Sequence, residues 1–107
     1  MVAADPEDAR EDWVESVLAV VESIPPGRVT TYGTIAHALG RYGARRVGNV
    51  MAQHGAGVPW WRVVRADGSL PPSHDGAAGE HYRAEGTPLK RSGAIDMREA
   101  FWEPGEA

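Results

Sequence analysis

Apolar residues recur at helical spacing through Trp13, Val14, Val17, Leu18, Val21 and Ile24, with Glu11, Asp12, Glu15 and Glu22 mostly on the opposite side, which predicts an amphipathic helix. Pro25-Pro26-Gly27 ends it. Residues 28 to 32, Arg-Val-Thr-Thr-Tyr, read as a short extended entry. Thr30 or Thr31 then caps a second helix from about Tyr32 to Leu39, and Gly40 stops it. After the turn Arg41-Tyr42-Gly43 a third helix is expected from about Ala44 to Gln53. Its Val47, Val50 and Met51 face inward, and Arg45, Arg46 and Asn49 outward. Two short helices joined by a tight glycine-containing turn are the plan of a helix-turn-helix unit. Residues 62 to 65 read as a strand, and Asp67-Gly68 as a hairpin turn returning through Ser69-Leu70, a small wing. A last short helix is expected over residues 76 to 85, followed by a mostly irregular tail. The pattern therefore predicts a mainly α protein with a small β-hairpin, a winged helix-turn-helix in one domain over residues 9 to 107, with residues 1 to 8 frayed or disordered.

Composition narrows the chemistry. A chain of 107 residues suits one core and not two. Cysteine is absent, so disulfides, thiolate metal sites and thiol nucleophiles are excluded. No apolar run is long enough to span a bilayer and the acidic N-terminus has no secretory pattern, so the expected location is cytoplasmic, or on the nucleoid if the source is bacterial. No two of His37, His54, His74 and His81 form a pair at the three- or four-residue helical spacing with an acidic partner, so neither a metal nor another cofactor is expected.

Net charge is −4, which by itself argues against a nucleic-acid partner. Its distribution argues the other way. Residues 24 to 66 carry six arginines, Arg28, Arg41, Arg45, Arg46, Arg62 and Arg65, and not one Asp or Glu. The seven acids of residues 1 to 23 and the eight of residues 67 to 107 flank that block. Such polarisation points to a polyanion meeting the middle of the chain.

The segment Val58-Pro59-Trp60-Trp61-Arg62-Val63-Val64 needs its own explanation, because neighbouring side chains of an extended chain point to opposite faces. Two adjacent tryptophans there cannot both enter one core, and one must face a cleft or solvent.

Three ordered segments resemble the DNA-binding and reaction domain of O6-alkylguanine-DNA alkyltransferases over roughly residues 13 to 90. They are Ile-Pro-Pro-Gly-Arg-Val-Thr-Thr-Tyr-Gly-Thr-Ile-Ala from Ile24, Ala-Arg-Arg-Val-Gly-Asn-Val-Met from Ala44, and Pro-Trp-Trp-Arg-Val from Pro59. In that family the last segment reads Pro-Cys-His-Arg-Val and its cysteine is the nucleophile. Tryptophan in its place resembles the alkyltransferase-like subfamily, whose members recognise O6-alkylguanine in DNA without transferring the alkyl group and recruit nucleotide excision repair. An indole has neither the nucleophilicity nor the titratable proton of a thiol, so no catalytic residue is expected. It still offers a flat wall to a flipped base.

The resemblance implies roles residue by residue. Arg45 corresponds to the arginine that fills the gap left by the extruded base, with Arg46 as the alternative because the preceding turn is one residue short of the usual pattern. Tyr32 corresponds to the tyrosine that contacts the target phosphate. Thr31 and Gly33 lie where amides at a helix start bind phosphate, and Ala44, Gly48, Asn49 and Arg65 complete the DNA-binding set. Val58, Pro59, Trp60, Trp61, Arg62 and Tyr32 form the expected lesion pocket, with residues 70 to 79 as one wall. Trp61 replaces the activating histidine, and Glu85 matches the glutamate that orients it, which leaves Glu85 a structural role through Arg62 or backbone amides. His54 falls near a hinge asparagine of the family. The implied partners are duplex DNA carrying O6-alkylguanine and excision-repair proteins, met by a monomer. Two other readings stay open: a winged-helix regulator reading undamaged sequence through Asn49 or Gln53, and residual hydrolysis with Glu85 as acid or base.

Overall fold

The computed structural model describes the backbone of residues 6 to 40, 43 to 69 and 76 to 105, with side chains from Asp12 onward within them. Helix α1 spans Pro6–Ser23, β1 Thr30–Thr31, α2 Tyr32–Leu39 and α3 Ala44–His54. Two 3₁₀ turns follow at Gly55–Gly57 and Trp60–Arg62, then β2 at Val63–Val64, α4 at Ala77–Glu85 and α5 at Met97–Ala100. The helix-turn-helix reading holds at both ends of α2. The Thr31 hydroxyl accepts from the Thr34 amide at 3.0 Å, and Gly40 closes the helix at φ +72°. Helix α1 reaches back to Pro6, and residues 1 to 5 lie outside the described chain.

The apolar faces meet in two clusters. Trp13, Val17, Val21 and Ile24 of α1 and the turn after it pack on Ile35 and Ala36 of α2, on Val47 and Val50 of α3, and on Val58 and Val63. The second cluster joins Val29, Val64, Ala78, Tyr82, Ile95 and Ala100, with Trp60, Trp61 and Met97 against it. Strand β2 lies between them, because alternate residues face opposite ways: Val63 enters the first cluster and Val64 the second.

The hairpin expected around Asp67-Gly68 is replaced by a different pairing. Strand β2 runs parallel to β1, with Thr30 opposite Val63 and Thr31 opposite Val64. Both valines are fully buried, so their strand needs a partner inside the protein and not a solvent-facing return strand. The turn itself does form. The Gly68 amide donates to the Arg65 carbonyl at 2.9 Å, and Asp67 accepts from the Ser69 amide and hydroxyl. What closes on it is the tail: the Ile95 amide donates to the Gly68 carbonyl at 3.0 Å. A long Arg65-to-Ser69 bond of 3.5 Å is what the described residues retain of a returning strand, and Leu70 lies outside them.

The tail is also more ordered than its sequence suggested. Val29 bridges Phe101, its amide donating to the Ala100 carbonyl at 2.9 Å and its carbonyl accepting from Trp102 at 2.7 Å. The Arg28 guanidinium ties to the Ala100 and Phe101 carbonyls. Leu89 bridges Ile95.

Gly68 is where turn and tail meet most tightly. Its φ is +82°, and a Cβ built there would lie 2.7 Å from the Ile95 carbonyl oxygen. Gly68→Ala is therefore expected to destabilise the fold by about 2 kcal/mol or more, combining left-handed strain with a backbone clash. Urea unfolding checks this, and a loss no larger than that of a surface alanine would show that the tail yields.

Candidate nucleic-acid interface

The outer face of α3 carries Ala44, Arg45, Arg46 and Asn49 in solvent, because Val47 and Val50 take the buried side. Gly43 begins this helix without a side-chain cap, so its first amides are not consumed by a capping side chain. Gly48 lies on the same helix, half-buried, and a Cβ built on it meets nothing within 4 Å. The same is true of exposed Gly33 in the first turn of α2. Neither glycine is therefore demanded by packing within the described chain or by a positive φ. Close packing against a neighbouring helix within the described chain is therefore not what places a glycine at Gly48.

Thr31 is buried, with its hydroxyl occupied by Thr34, so its contribution is to set the start of α2. Tyr32 follows half-buried. Burial pushes its hydroxyl above the ordinary phenol value, the Arg65 charge pulling the other way, so it is a proton donor at neutral pH. Parallel pairing explains why Arg65 is near: Tyr32 and Arg65 each follow the paired residues Thr31 and Val64. Arg65 is exposed and also faces Asp67, whose carboxyl is held below its usual range first by the Ser69 hydroxyl.

The basic block divides once its geometry is known. Arg28 is bound to the tail carbonyls, and Arg62 to Glu85 and the Ile24 carbonyl. Arg45, Arg46 and Arg65 are exposed, while Arg41 lies outside the described residues.

Around Trp60 the chain turns as a 3₁₀ helix instead of running extended, so both tryptophans are half-buried and neither occupies the core alone. Trp61 is held by α4 at three points. The His81 ring stacks on it at 3.5 Å between centroids and 4° between planes. The Tyr82 hydroxyl donates to its carbonyl at 2.6 Å, and its own indole N–H donates to Glu85 Oε1 at 2.9 Å. Trp60 stands edge-on to Trp61 at 5.6 Å and to His81 at 6.0 Å.

Glu85 gathers these contacts. Oε1 accepts from Trp61 and Arg62, Oε2 accepts from the Gly27 amide at 3.0 Å and from Arg62 Nε at 3.2 Å, and Arg62 reaches on to the Ile24 carbonyl at 2.9 Å. Burial opposes its charge, but the bonds from Arg62, Gly27 and Trp61 outweigh that and hold the carboxyl below its ordinary value. The expected pairing of Glu85 with Arg62 and a backbone amide is present, and the bond from Trp61 was not anticipated. A carboxylate with both oxygens occupied in this way is poorly placed to act as a general acid or base.

An open groove of about 420 Å³ is lined by Glu22, Ala56, Gly57, Val58, Pro59, Trp61 and Arg62. It unites four of the expected pocket residues, but Tyr32 and Trp60 are not in its lining. Residues 70 to 75, most of the expected remaining wall, lie outside the described chain. His54 ends α3 exposed. Sequence reasoning weighed His81 only as a metal ligand. The signal it passed over is the four-residue spacing to Glu85, which puts both on one face of α4. Among the described residues no three His, Asp or Glu side chains gather as a metal site, and no helix is long and apolar enough to cross a membrane.

The model of the 6-O-methylguanine DNA methyltransferase DNA-binding domain matches residues 12–87. A Vibrio parahaemolyticus protein named DNA base-flipping protein is 33% identical over 99 residues, spanning 88% of this chain and 99% of its own. Alkyltransferase-like protein 1 of Schizosaccharomyces pombe is 30% identical over 106 residues, covering 88% of this chain and 97% of its own. The crystal structure of S. pombe Atl1 with damaged DNA containing O6-carboxymethylguanine superposes with a TM-score of 0.72 at 28% identity, over 88% of this chain and 97% of that one.

The Glu85 geometry predicts an acid sensitivity. Its folded pKa lies below the ordinary glutamate value of 4.5. The stability it contributes is thus complete above that value and is lost as pH falls through the depressed one. Glu85→Gln should be less stable at neutral pH by about 3 kcal/mol, since Arg62 loses its counter-ion. It should also lose less stability than wild type between about pH 5 and pH 3. Parallel acid dependence of the two urea midpoints would show that Glu85 is not the sensing group.

Proposed function

The chain belongs to the family of the 6-O-methylguanine DNA methyltransferase DNA-binding domain and is of its alkyltransferase-like type, and we propose that it captures O6-alkylguanine in duplex DNA without removing the alkyl group. One chemical observation carries this reading: the chain has no cysteine at all, and its Pro-Trp-Trp-Arg-Val segment, which resembles the family's Pro-Cys-His-Arg-Val pattern, offers Trp60 in place of a thiol. Transfer requires a sulfur to receive the alkyl carbon. An indole provides only a surface.

The proposed mechanism uses the exposed face of α3. The helix enters the minor groove, where the bare Cα atoms of Gly48 and Gly33 let the sugar-phosphate backbone come close. Arg45 inserts into the base stack, with Arg46 beside it. Tyr32 donates to the phosphate of the target nucleotide, and Arg65 neutralises a neighbouring one. Ala44 and Asn49 flank the contact, and Thr31 fixes the helix start from which Gly33 presents its amide. The guanine turns out toward Trp60. Extrusion costs a few kcal/mol, and stacking on an aromatic wall returns about 1 to 3 kcal/mol per base, with phosphate contacts supplying the rest. Val58, Pro59, Trp61 and Arg62, which line the groove beside the aromatic turn, complete the proposed pocket. The alkyl group fills apolar space that plain guanine leaves empty. The relatives named for base flipping and the yeast structure on damaged DNA support this reading.

The output we assign is a persistent complex. With no transfer step the lesion stays bound to a monomer in the cytoplasm or on the nucleoid, where nucleotide excision repair proteins detect the distorted duplex.

Fluorescence anisotropy with matched duplexes tests the reading. Affinity for O6-methylguanine should exceed that for guanine by roughly tenfold or more, the equivalent of one stacked base. Equal affinities would leave a winged-helix regulator of undamaged DNA. Arg45→Ala should weaken lesion binding and narrow the difference, whereas a uniform loss on both duplexes would make Arg45 a phosphate contact. Gly48→Ala separates folding from binding. A methyl group there meets nothing within 4 Å, so it should raise stability by up to about 1 kcal/mol while weakening both duplexes. Undiminished binding by the alanine variant would remove α3 from the interface.

A further inference from the structure

Helix α4 touches the Trp60–Trp61 pair through three residues on one face, and they are not equivalent. Tyr82 is a core residue of the second cluster, 1% exposed, whose hydroxyl also supports the Trp61 carbonyl. Glu85 binds Gly27 and Arg62 as well as Trp61. Both are structural whatever Trp61 does. His81 differs, because among the described residues it makes no hydrogen bond or ion pair, and its contacts are the two indoles.

Those contacts have a definite geometry. The imidazole covers one face of Trp61 nearly in parallel, 3.5 Å between centroids. It stands at 83° to Trp60, almost the same angle that Trp61 makes, 86°. Trp60 thus packs edge-on against a slab two rings thick, built from His81 and Trp61. The indole N–H bond to Glu85 pins Trp61 at one edge, and the Arg62 guanidinium carbon lies over its ring at 5.5 Å from the centroid. The parallel His81 ring, at 3.5 Å, is the closer face-on contact and limits how far the indole can tilt about the Glu85 bond. On a 3₁₀ turn of three residues, with no strand ladder to hold the side chains, the orientation of Trp60 is passed on from this slab.

We propose that His81 is a positioning residue for lesion capture. By stacking on Trp61 it sets the plane of the Trp60 indole, and so decides how well an extruded alkylguanine stacks there. The inference rests on the lesion-capture reading above and adds a residue to it that touches neither base nor phosphate. A flat ring is the feature required, not an imidazole proton, so phenylalanine should replace His81 and leucine, of similar bulk, should not.

The test compares wild type with H81F, H81L and H81A on duplexes carrying O6-methylguanine or guanine at one position. Anisotropy gives the affinity ratio. The far-ultraviolet exciton couplet of the Trp60–Trp61 pair, isolated by difference against W60F, gives the ring geometry directly. The ratio should fall roughly two- to tenfold in H81L and H81A, the worth of one aromatic contact, with loss of the couplet, and both should return in H81F. Wild-type ratio and couplet in H81L or H81A, with a wild type that discriminates, would overturn the role of His81 and leave lesion capture standing. Failure of H81F to restore both would reduce His81 to a general packing residue. A wild type that binds both duplexes equally would sink lesion capture itself, and this inference with it. Because H81L preserves volume, its helical signal at 222 nm confirms that folded protein is being compared.

Discussion

The structure depends on one carboxylate. Glu85 of α4 accepts hydrogen bonds from the turn after α1 through the Gly27 amide and from the aromatic turn through Trp61 and Arg62, and Arg62 itself holds the Ile24 carbonyl just past α1. Three segments far apart in sequence, the turn after α1, the aromatic turn and α4, meet at two oxygen atoms. A half-buried anion satisfied this fully is stable because each donor is held by elements that pack elsewhere; the carboxylate orders groups that the core has already brought near. With its two oxygens taken by an indole N–H, a guanidinium and a backbone amide, the carboxylate acts as a fixed bracket between the aromatic turn and the turn after α1.

Charge and shape divide the work at the outer surface. The sequence shows six arginines in one acid-free block, but Arg28 and Arg62 are turned inward to carbonyls and to Glu85. Among the described residues of the block, Arg45, Arg46 and Arg65 are exposed, and Gly33 and Gly48 leave open space where a Cβ would stand. The acidic flanks keep the rest of the molecule unattractive to a polyanion.

Much of this was legible in the sequence. The helices carried strong punctuation: Thr31 and Gly40 delimit α2 where expected, and the stripe of Val47 and Val50 put the arginines of α3 outside. The Asp67-Gly68 turn was also visible, and it exists. What failed was the identity of its partner. Two consecutive valines and a tight turn are equally consistent with a hairpin and with a buried parallel pair, and only burial on both faces of β2 decides. The four-residue α5 and the bridge from Val29 to Phe101 left no periodic trace, because they consist of backbone bonds. The Trp61–His81 stack was hidden for another reason. Twenty residues separate the two in sequence, and nothing local in either segment predicts that they meet.

The parallel pairing of β1 with β2, although it involves only two residues on each side, bears on how the molecule responds to load. One strand leads directly into Tyr32 and α2, and the other issues directly from the aromatic turn. The two ends are therefore bolted across adjacent rungs, with the whole of α2 and α3 as the arm between them. A tie of that kind keeps the aromatic turn and the first residue of α2 in one fixed register.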